Sequence, residues 1–146
     1  MHKLVFLIMV IFMAGCNSVL VTYKPPQNPN LTKLKLPKDG DTLYKIGELN
    51  EEGCSANFKT VRDESYIDNE YVYVQTDKGV VLHVNSMSGK KPCRGTKVMH
   101  LESAKLYEAD ILPFPYVCGI FIKNITNEEK VENIETESLS KGCVKK

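Results

Sequence analysis

From about residue 43 onward, short apolar runs rich in Val, Ile, Tyr and Phe alternate with turn signals, which predicts a series of short β-strands. The clearest unit covers residues 71–84, where YVYVQT and VVLHV flank the connection DKG. A glycine at the end of a three-residue connection supplies the positive φ that a bulged hairpin needs. The pattern therefore predicts a β-hairpin that turns at Gly79.

The same alternation predicts further strands in the rest of the chain. Good helix formers fill the middle of residues 98–109, so a helix is the alternative there. Tyr107, Ala109 and Ile111 recur with period two, however, and this favours a strand. The additional strands are expected over residues 43–49, 56–61, 97–101, 106–112 and 116–125.

The C-terminal segment has a different pattern, typical of a helix. Thr126 and Glu129 form a capping-box pair, and the stripe of Val131 and Ile134 is followed by a natural helix stop at Gly142. We therefore expect one helix over about residues 127–140. The predicted fold class is mainly β, as a small antiparallel sandwich or barrel-like sheet, with this one C-terminal helix and two disulfides.

The first sixteen residues have the features of a targeting segment. Lys3 is followed by ten consecutive apolar residues over 4–13. A membrane-spanning helix needs about 20 apolar residues, whereas this run has the length of a signal-peptide core. It ends in Met13-Ala14-Gly15-Cys16, which resembles the lipobox of bacterial lipoproteins. The alternative is an ordinary secretory signal, which usually shows an A-x-A-like cleavage site.

The lipobox resemblance implies a covalent lipid on Cys16. In that class the chain is cut before the cysteine, a diacylglycerol is attached to its sulfur, and the new amino group is usually acylated. Two or three acyl chains hold a protein stably on a bilayer. The next residue is Asn17, whereas an Asp there resembles the inner-membrane retention signal of enteric-type bacteria. We therefore expect an outer-membrane anchor that faces the periplasm by default, with the inner membrane or the cell surface as alternatives.

The predicted organisation has three parts: a cleaved signal over residues 1–15, a lipidated tether over 16–40 and a folded domain over 41–146. The tether contains four prolines and, between residues 17 and 38, four lysines and no acid. Proline favours extended geometry, so this segment is expected to lift the domain off the membrane. Its lysines either gain about 1 kcal/mol each beside anionic headgroups or remain solvated.

The remaining cysteines, Cys54, Cys93, Cys118 and Cys143, form an even set, which in an oxidising compartment predicts two disulfides. No C-x-x-C pair is present, which argues against a thioredoxin-like or zinc centre. Four cysteines allow three connectivities; we favour Cys54–Cys93 with Cys118–Cys143, because the second bond would fix the expected helix to a strand. A redox switch at Cys93, beside several cations, is the alternative.

Charge and motifs argue against nucleic-acid binding and against catalysis. Lys and Arg number 19 against 18 Asp and Glu, so there is no cationic excess for phosphates. His83 and His100 fall in predicted strands and form no recognised metal spacing with nearby acids. Nucleophile-elbow, metalloprotease and P-loop motifs are absent from the sequence. We expect a non-enzyme without metal or cofactor apart from the S-diacylglycerol and N-acyl lipid on Cys16.

Aromatic residues give a better functional indication. Tyr71 and Tyr73 cluster on one predicted strand, and Phe114 and Tyr116 lie in a connection bounded by proline. Tyr and Phe are enriched at protein interfaces, so these four residues are the candidate interaction surface. The alternative is that they pack across strands and stabilise the sheet.

One short motif in the domain is similar to a known family. Ile46-Gly47-Glu48-Leu49, followed by Gly53-Cys54, resembles the opening of the folded domain in the Rcs-pathway outer-membrane stress-sensing lipoproteins, which also have a Pro-rich tether and two disulfides. In that family the next segment is helical and the other cysteines are closely spaced. This chain departs from both features, so we do not transfer the activity.

These observations predict a membrane-anchored, non-catalytic binding, assembly or envelope-sensing module whose partners are the lipid bilayer and another envelope protein. The alternatives are an exclusion, immunity or inhibitor lipoprotein, or a small periplasmic hydrolase or thiol-redox protein. A pocket in which His83 or His100 meets carboxylates would favour an enzyme. A flat sheet face with exposed aromatic residues would favour a binding module.

Overall fold

The computed structural model describes residues 20–27, 31–87 and 92–139 of the chain. Within these residues there are ten strands, one short 3-10 turn over Asp63–Ser65 and no α-helix. The strands are β1 (Thr32–Lys35), β2 (Thr42–Leu49), β3 (Ser55–Thr60), β4 (Tyr71–Val74), β5 (Val80–Ser86), β6 (Cys93–Met99), β7 (Leu106–Phe114), β8 (Tyr116–Asn124), β9 (Glu132–Ile134) and β10 (Thr136–Glu137).

The strands form one curled, half-barrel sheet in the order β3-β2-β5-β6-β8-β7-β1-β4. Most neighbours are antiparallel, but β1 runs parallel to β7, and β6 runs parallel to β8. The predicted β class with a barrel-like sheet is therefore confirmed. Alternate side chains of each strand point inward, as the period of two requires. The core lies inside the curl, around the buried side chains of Leu34, Ile46, Leu82, Tyr107 and Ile122.

Strand β1 lies within the segment that the sequence assigned to the tether. Thr32, Leu34 and Leu36 are almost fully buried, and β1 pairs with both β4 and β7. The prolines that suggested a linker flank this strand, and its outward lysines obscure a two-residue apolar period. The predicted extent of the tether is thus wrong in the part of it that the structure describes.

Residues 20–25 also belong to the domain, where they bridge the two edge strands. The Tyr23 N–H donates to the carbonyl of Thr60 in β3 (2.7 Å), and the Thr60 N–H donates to the carbonyl of Val21 (2.8 Å). On the other side the Tyr23 phenol donates to the carbonyl of Tyr73 in β4 (2.7 Å). This N-terminal segment covers polar edges of β3 and β4 that would otherwise be open to other chains.

The predicted hairpin is correct in its strands and wrong in their pairing. β4 lies at an edge of the sheet beside β1, while β5 lies between β2 and β6. The connection therefore crosses from one part of the curl to another. Gly79 does not adopt a positive φ; it packs under the Leu49 side chain, whose Cδ1 would lie 2.5 Å from a Cβ built there.

The predicted C-terminal helix is also wrong within the described residues. Thr126, the expected cap, instead accepts a hydrogen bond from the Leu106 N–H (2.9 Å), and Asn127 closes a local turn with the Glu129 N–H (3.0 Å). The chain then forms β9 and β10, which pair with β8 and β6. Pairing with the open edges of β6 and β8 therefore stabilises this segment more than a helix would, because the predicted helix has only a cap and a narrow apolar stripe to support it.

The predicted cysteine pairing is contradicted by a disulfide between Cys93 and Cys118. Their Cα atoms lie 5.0 Å apart on the neighbouring strands β6 and β8, which is within the usual range for a disulfide. Both cysteines are buried, and the bond joins the strands where they pair directly, at Cys93–Tyr116 and Arg94–Val117. Beyond this point β6 and β8 diverge, and β9 and β10 occupy the space between them.

Candidate functional site

A patch of large, exposed apolar side chains lies on β7 and β8 near the tip of their hairpin. We call it the hairpin patch and define it as Leu112, Phe114, Tyr116, Val117 and Phe121. These side chains are 49% to 75% exposed. Two of them, Phe114 and Tyr116, are residues of the predicted interaction surface. Contiguous exposed apolar surface of this kind usually marks an interaction site.

The register of the two strands brings the patch together. Phe114 lies opposite Val117, and Leu112 lies opposite Gly119. A Cβ built on Gly119 would approach Cε2 of both Phe114 and Phe121 to 3.0 Å, so both rings lie over this glycine. The missing side chain therefore lets two aromatic rings share one stretch of backbone.

The hairpin turns through two residues, Pro115 and Tyr116, because Phe114 of β7 pairs with Val117 of β8. Tyr116 has φ of +69°, in the left-handed region that a tyrosine rarely adopts. This conformation costs about 1–2 kcal/mol. It holds the phenol at the tip, where it is the most exposed aromatic side chain of the patch.

A cleft of about 370 Å³ adjoins the patch, in the space where β6 and β8 diverge. Its walls include the core side chains Ile120 and Ile122, the patch side chains Phe114 and Phe121, and Ile134 of β9. Lys97 of β6 lines the cleft and donates a hydrogen bond to the Ser138 hydroxyl (3.3 Å). The patch is thus continuous with a concave site that has one cation in its wall.

Tyr71 and Tyr73, the other candidate surface residues, lie in the edge strand β4 and are partly buried. The Lys33 ammonium lies 5.8 Å from the centroid of each ring, between the two. Such cation–π contacts across neighbouring strands stabilise a sheet. The geometry supports the packing alternative for these two tyrosines, and the structure does not bring them together with the hairpin patch.

Neither His83 nor His100 forms an ion pair with a carboxylate of the described residues. The His83 Nδ1 lies 2.8 Å from the Thr96 hydroxyl, and Phe58 packs edge-on to its ring at 6.0 Å. Burial, followed by the charges of Lys45 and Arg94, lowers the pKa of His83. His100 lies just after β6 and is exposed. Among residues 20–27, 31–87 and 92–139, no group of three or more His, Cys, Asp or Glu side chains is placed to hold a metal.

A second cavity, of about 260 Å³, lies beside the N-terminal segment. Tyr23, Ile46 and Val80 line it, together with the charged residues Glu48 and Lys59. Burial, with a smaller contribution from the Glu48 charge, raises the pKa of the Tyr23 phenol. The phenol is therefore neutral and serves as the hydrogen-bond donor to β4.

Two of the predicted cysteine sites lie outside the described residues: Cys16, the predicted lipidation site, and Cys143. Cys54 follows the turn between β2 and β3 and is disulfide-bonded. Of the predicted cysteine sites, the structure brings Cys93 and Cys118 together.

Sequence reasoning missed Leu112, Val117 and Phe121 as members of the patch. Their strands are apolar on both faces, because Ile111, Ile120 and other neighbours fill the core side. A strand that is apolar on both faces is typically a buried one. The signal that could have found the patch is an apolar outer face in a hairpin whose tip is bounded by proline.

No helix within the described ranges has both the length and the apolar character needed to cross a membrane. No family model, curated protein or solved structure matches this chain.

Proposed function

We propose that this chain is a bacterial lipoprotein, acylated on Cys16, whose β-domain is a non-catalytic binding or assembly module of the cell envelope. The single observation that carries the binding role is the hairpin patch. Five large apolar side chains, 49% to 75% exposed, lie on β7 and β8 toward the tip of their hairpin. Burying such side chains against a partner yields about 25 cal/mol for each Å² of apolar surface removed from water. Association through this surface is therefore favoured.

The buried disulfide supports a structural rather than a redox role for the cysteines. Reactive cysteines are exposed and lie in electropositive surroundings, whereas Cys93 and Cys118 are 1% and 3% exposed. We propose that Cys54 pairs with Cys143, because Cys93 and Cys118 are joined and Cys16 is the lipidation site. The domain would then carry the two disulfides typical of an exported protein.

Asn17 supports an outer-membrane location facing the periplasm. The folded domain begins by residue 21, so a lipid on Cys16 would hold it close to the bilayer. The partner of the patch would then be another protein of the same compartment. This role requires surface complementarity and no catalytic group.

The test is intact mass and membrane fractionation of the wild-type protein beside Cys16→Ala, each alkylated with and without reductant. We expect an acylated, membrane-bound wild-type protein with no free thiol, and a Cys16→Ala protein that is not acylated. An unacylated wild-type protein that fractionates like Cys16→Ala would overturn the lipoprotein proposal. Alkylation of Cys54 without reductant would overturn the second disulfide.

A further inference from the structure

We propose that the hairpin patch faces away from the anchoring membrane and binds an extended protein segment that combines apolar side chains with an acidic group. This inference rests on the proposed lipidation of Cys16, and it names the partner of the site described above. It follows from the direction in which the chain leaves the domain and from the charges at the rim of the patch.

The two ends of the half-barrel can be followed through the strand register. Thr42 pairs with Ser86, Ser86 pairs with Cys93, and Cys93 pairs with Tyr116, so the patch lies at this end. At the opposite end Glu48 pairs with Val80.

The N-terminal segment leaves toward the end opposite to the patch. Thr22 bridges Thr60 in parallel with β3, whose Ser55 lies beside Leu49 at that end. Followed backward from Thr22, the chain therefore runs away from the patch. Cys16 precedes Leu20 by four residues, which span at most about 14 Å when extended. The nine residues of β7 extend over about 30 Å, about twice that reach, so we infer that a lipid on Cys16 would hold the end opposite to the patch nearer to the membrane.

The rim of the patch carries unpaired cations. Arg94 lies opposite Val117 in the register, and Lys97 lines the adjoining cleft. Among the described residues, neither side chain has a carboxylate within ion-pair distance, whereas Lys123 on β8 pairs with Asp110. A partner carboxylate beside Arg94 or Lys97 would therefore complete a charge pair at the edge of an apolar contact.

The acidic residues of this region, Glu135 and Glu137, do not line the cleft. A bound segment would therefore place its acidic group beside Arg94 or Lys97 and its apolar side chains onto the phenylalanines.

The first experiment uses the absence of tryptophan from the chain. The acylated full-length protein carrying Phe121→Trp, or Leu20→Trp for comparison, is reconstituted into vesicles that contain brominated phospholipid. We expect both variants to sediment with the vesicles. The fluorescence of Leu20→Trp, on the anchored side, should be quenched by the brominated lipid, whereas that of Phe121→Trp should not. Quenching of Phe121→Trp overturns the inference and leaves the lipoprotein proposal intact. Failure of both variants to sediment overturns the lipoprotein proposal.

The second experiment defines the partner chemistry with a random library of displayed peptides, panned on the detergent-solubilised acylated protein. We expect enrichment of peptides that place Asp or Glu next to Leu or Phe. The double variant Phe114→Ser, Phe121→Ser should bind them roughly tenfold more weakly, and Arg94→Glu with Lys97→Glu should reverse the preference toward basic peptides. The matched control Lys78→Glu, an exposed cation far from the patch, should leave binding unchanged.

Two outcomes would overturn the partner assignment. One is that no peptide is enriched, or that the enriched peptides show no preference for acidic residues. The other is that the patch and charge variants bind the same peptides as the wild-type protein. All substituted side chains are at least partly exposed, so a urea midpoint equal to that of wild type shows that a loss of binding is not a loss of fold.

Discussion

Replacing Gly95 by alanine tests how closely β6 approaches β8 beside the disulfide. A Cβ at this position would lie 2.7 Å from the Cys118 carbonyl oxygen and 3.0 Å from the Ile120 Cδ1. The oxygen belongs to a backbone held by the Cys93–Cys118 bond, so it cannot move aside cheaply. Overpacking of this kind costs about 1–3 kcal/mol. In a domain of this size the melting temperature falls by about 4 °C for each kcal/mol.

The matched control is Gly119→Ala on the neighbouring strand. Its Cβ would lie 3.0 Å from the rings of Phe114 and Phe121, which are about half exposed and free to turn outward. Both substitutions remove the same backbone freedom from the unfolded chain, worth about 0.4–1 kcal/mol. This contribution cancels when the two variants are compared. We therefore expect Gly95→Ala to be about 1–3 kcal/mol less stable than Gly119→Ala.

The measurement is equilibrium urea unfolding of the oxidised proteins, followed by tyrosine fluorescence because the chain has no tryptophan. Equal m-values would show that the two variants differ in stability and not in the extent of unfolding. If the two alanine variants unfold within about 0.3 kcal/mol of each other, the close approach of β6 and β8 is refuted.

Three further results are expected. Leu34→Ala should lower the free energy of unfolding in urea by about 2–5 kcal/mol, because Leu34 is fully buried in β1. A decrease below about 1 kcal/mol would indicate that this segment is a tether outside the core. Tyr23→Phe should cost about 1 kcal/mol through loss of the hydrogen bond to the Tyr73 carbonyl, and an unchanged urea midpoint would contradict the bridging of the sheet edges. Burial, reinforced by the charges of Asp63 and Asp39, raises the pKa of Tyr66 to about 12, and burial also raises the pKa of Tyr44. Because an unfolded tyrosine titrates near pH 10, this stability is fully present below about pH 10 and is lost as the pH rises toward 12; a urea midpoint that stays constant over this interval would contradict the burial of these phenols.

The strands were predictable from local pattern, and their partners were not. Short apolar runs bounded by turn signals identified β2, β4, β5, β7 and β8. The pairing of β4 with β1 instead of β5 depends on the curl of the whole sheet, which no short segment encodes. The same limit explains the C-terminal segment, where the open edges of two distant strands outweighed a local helix cap.

Of the hairpin patch, the sequence predicted only the two aromatic residues at the tip. Phe114 and Tyr116 stood out because prolines interrupt the strand pattern around them. Phe121 did not, since an apolar residue in an apolar strand is usually assigned to the core. Its exposure follows from the absence of any layer over that face among the described residues, which is a property of the tertiary structure.

The parallel pairing of β1 with β7 has a consequence for how the chain reaches its folded state. Lys33 pairs with Leu106, so the first strand meets one of its two partners only after some seventy further residues have been made. Pairings of such long sequence separation form slowly, because the chain loses much entropy before the contact is made. A chain that emerges N-terminus first can pair β1 with β4 before β7 is available, but it cannot close the second edge of β1 until β7 has been made. The last closure of the sheet around β1 therefore depends on the C-terminal half of the domain.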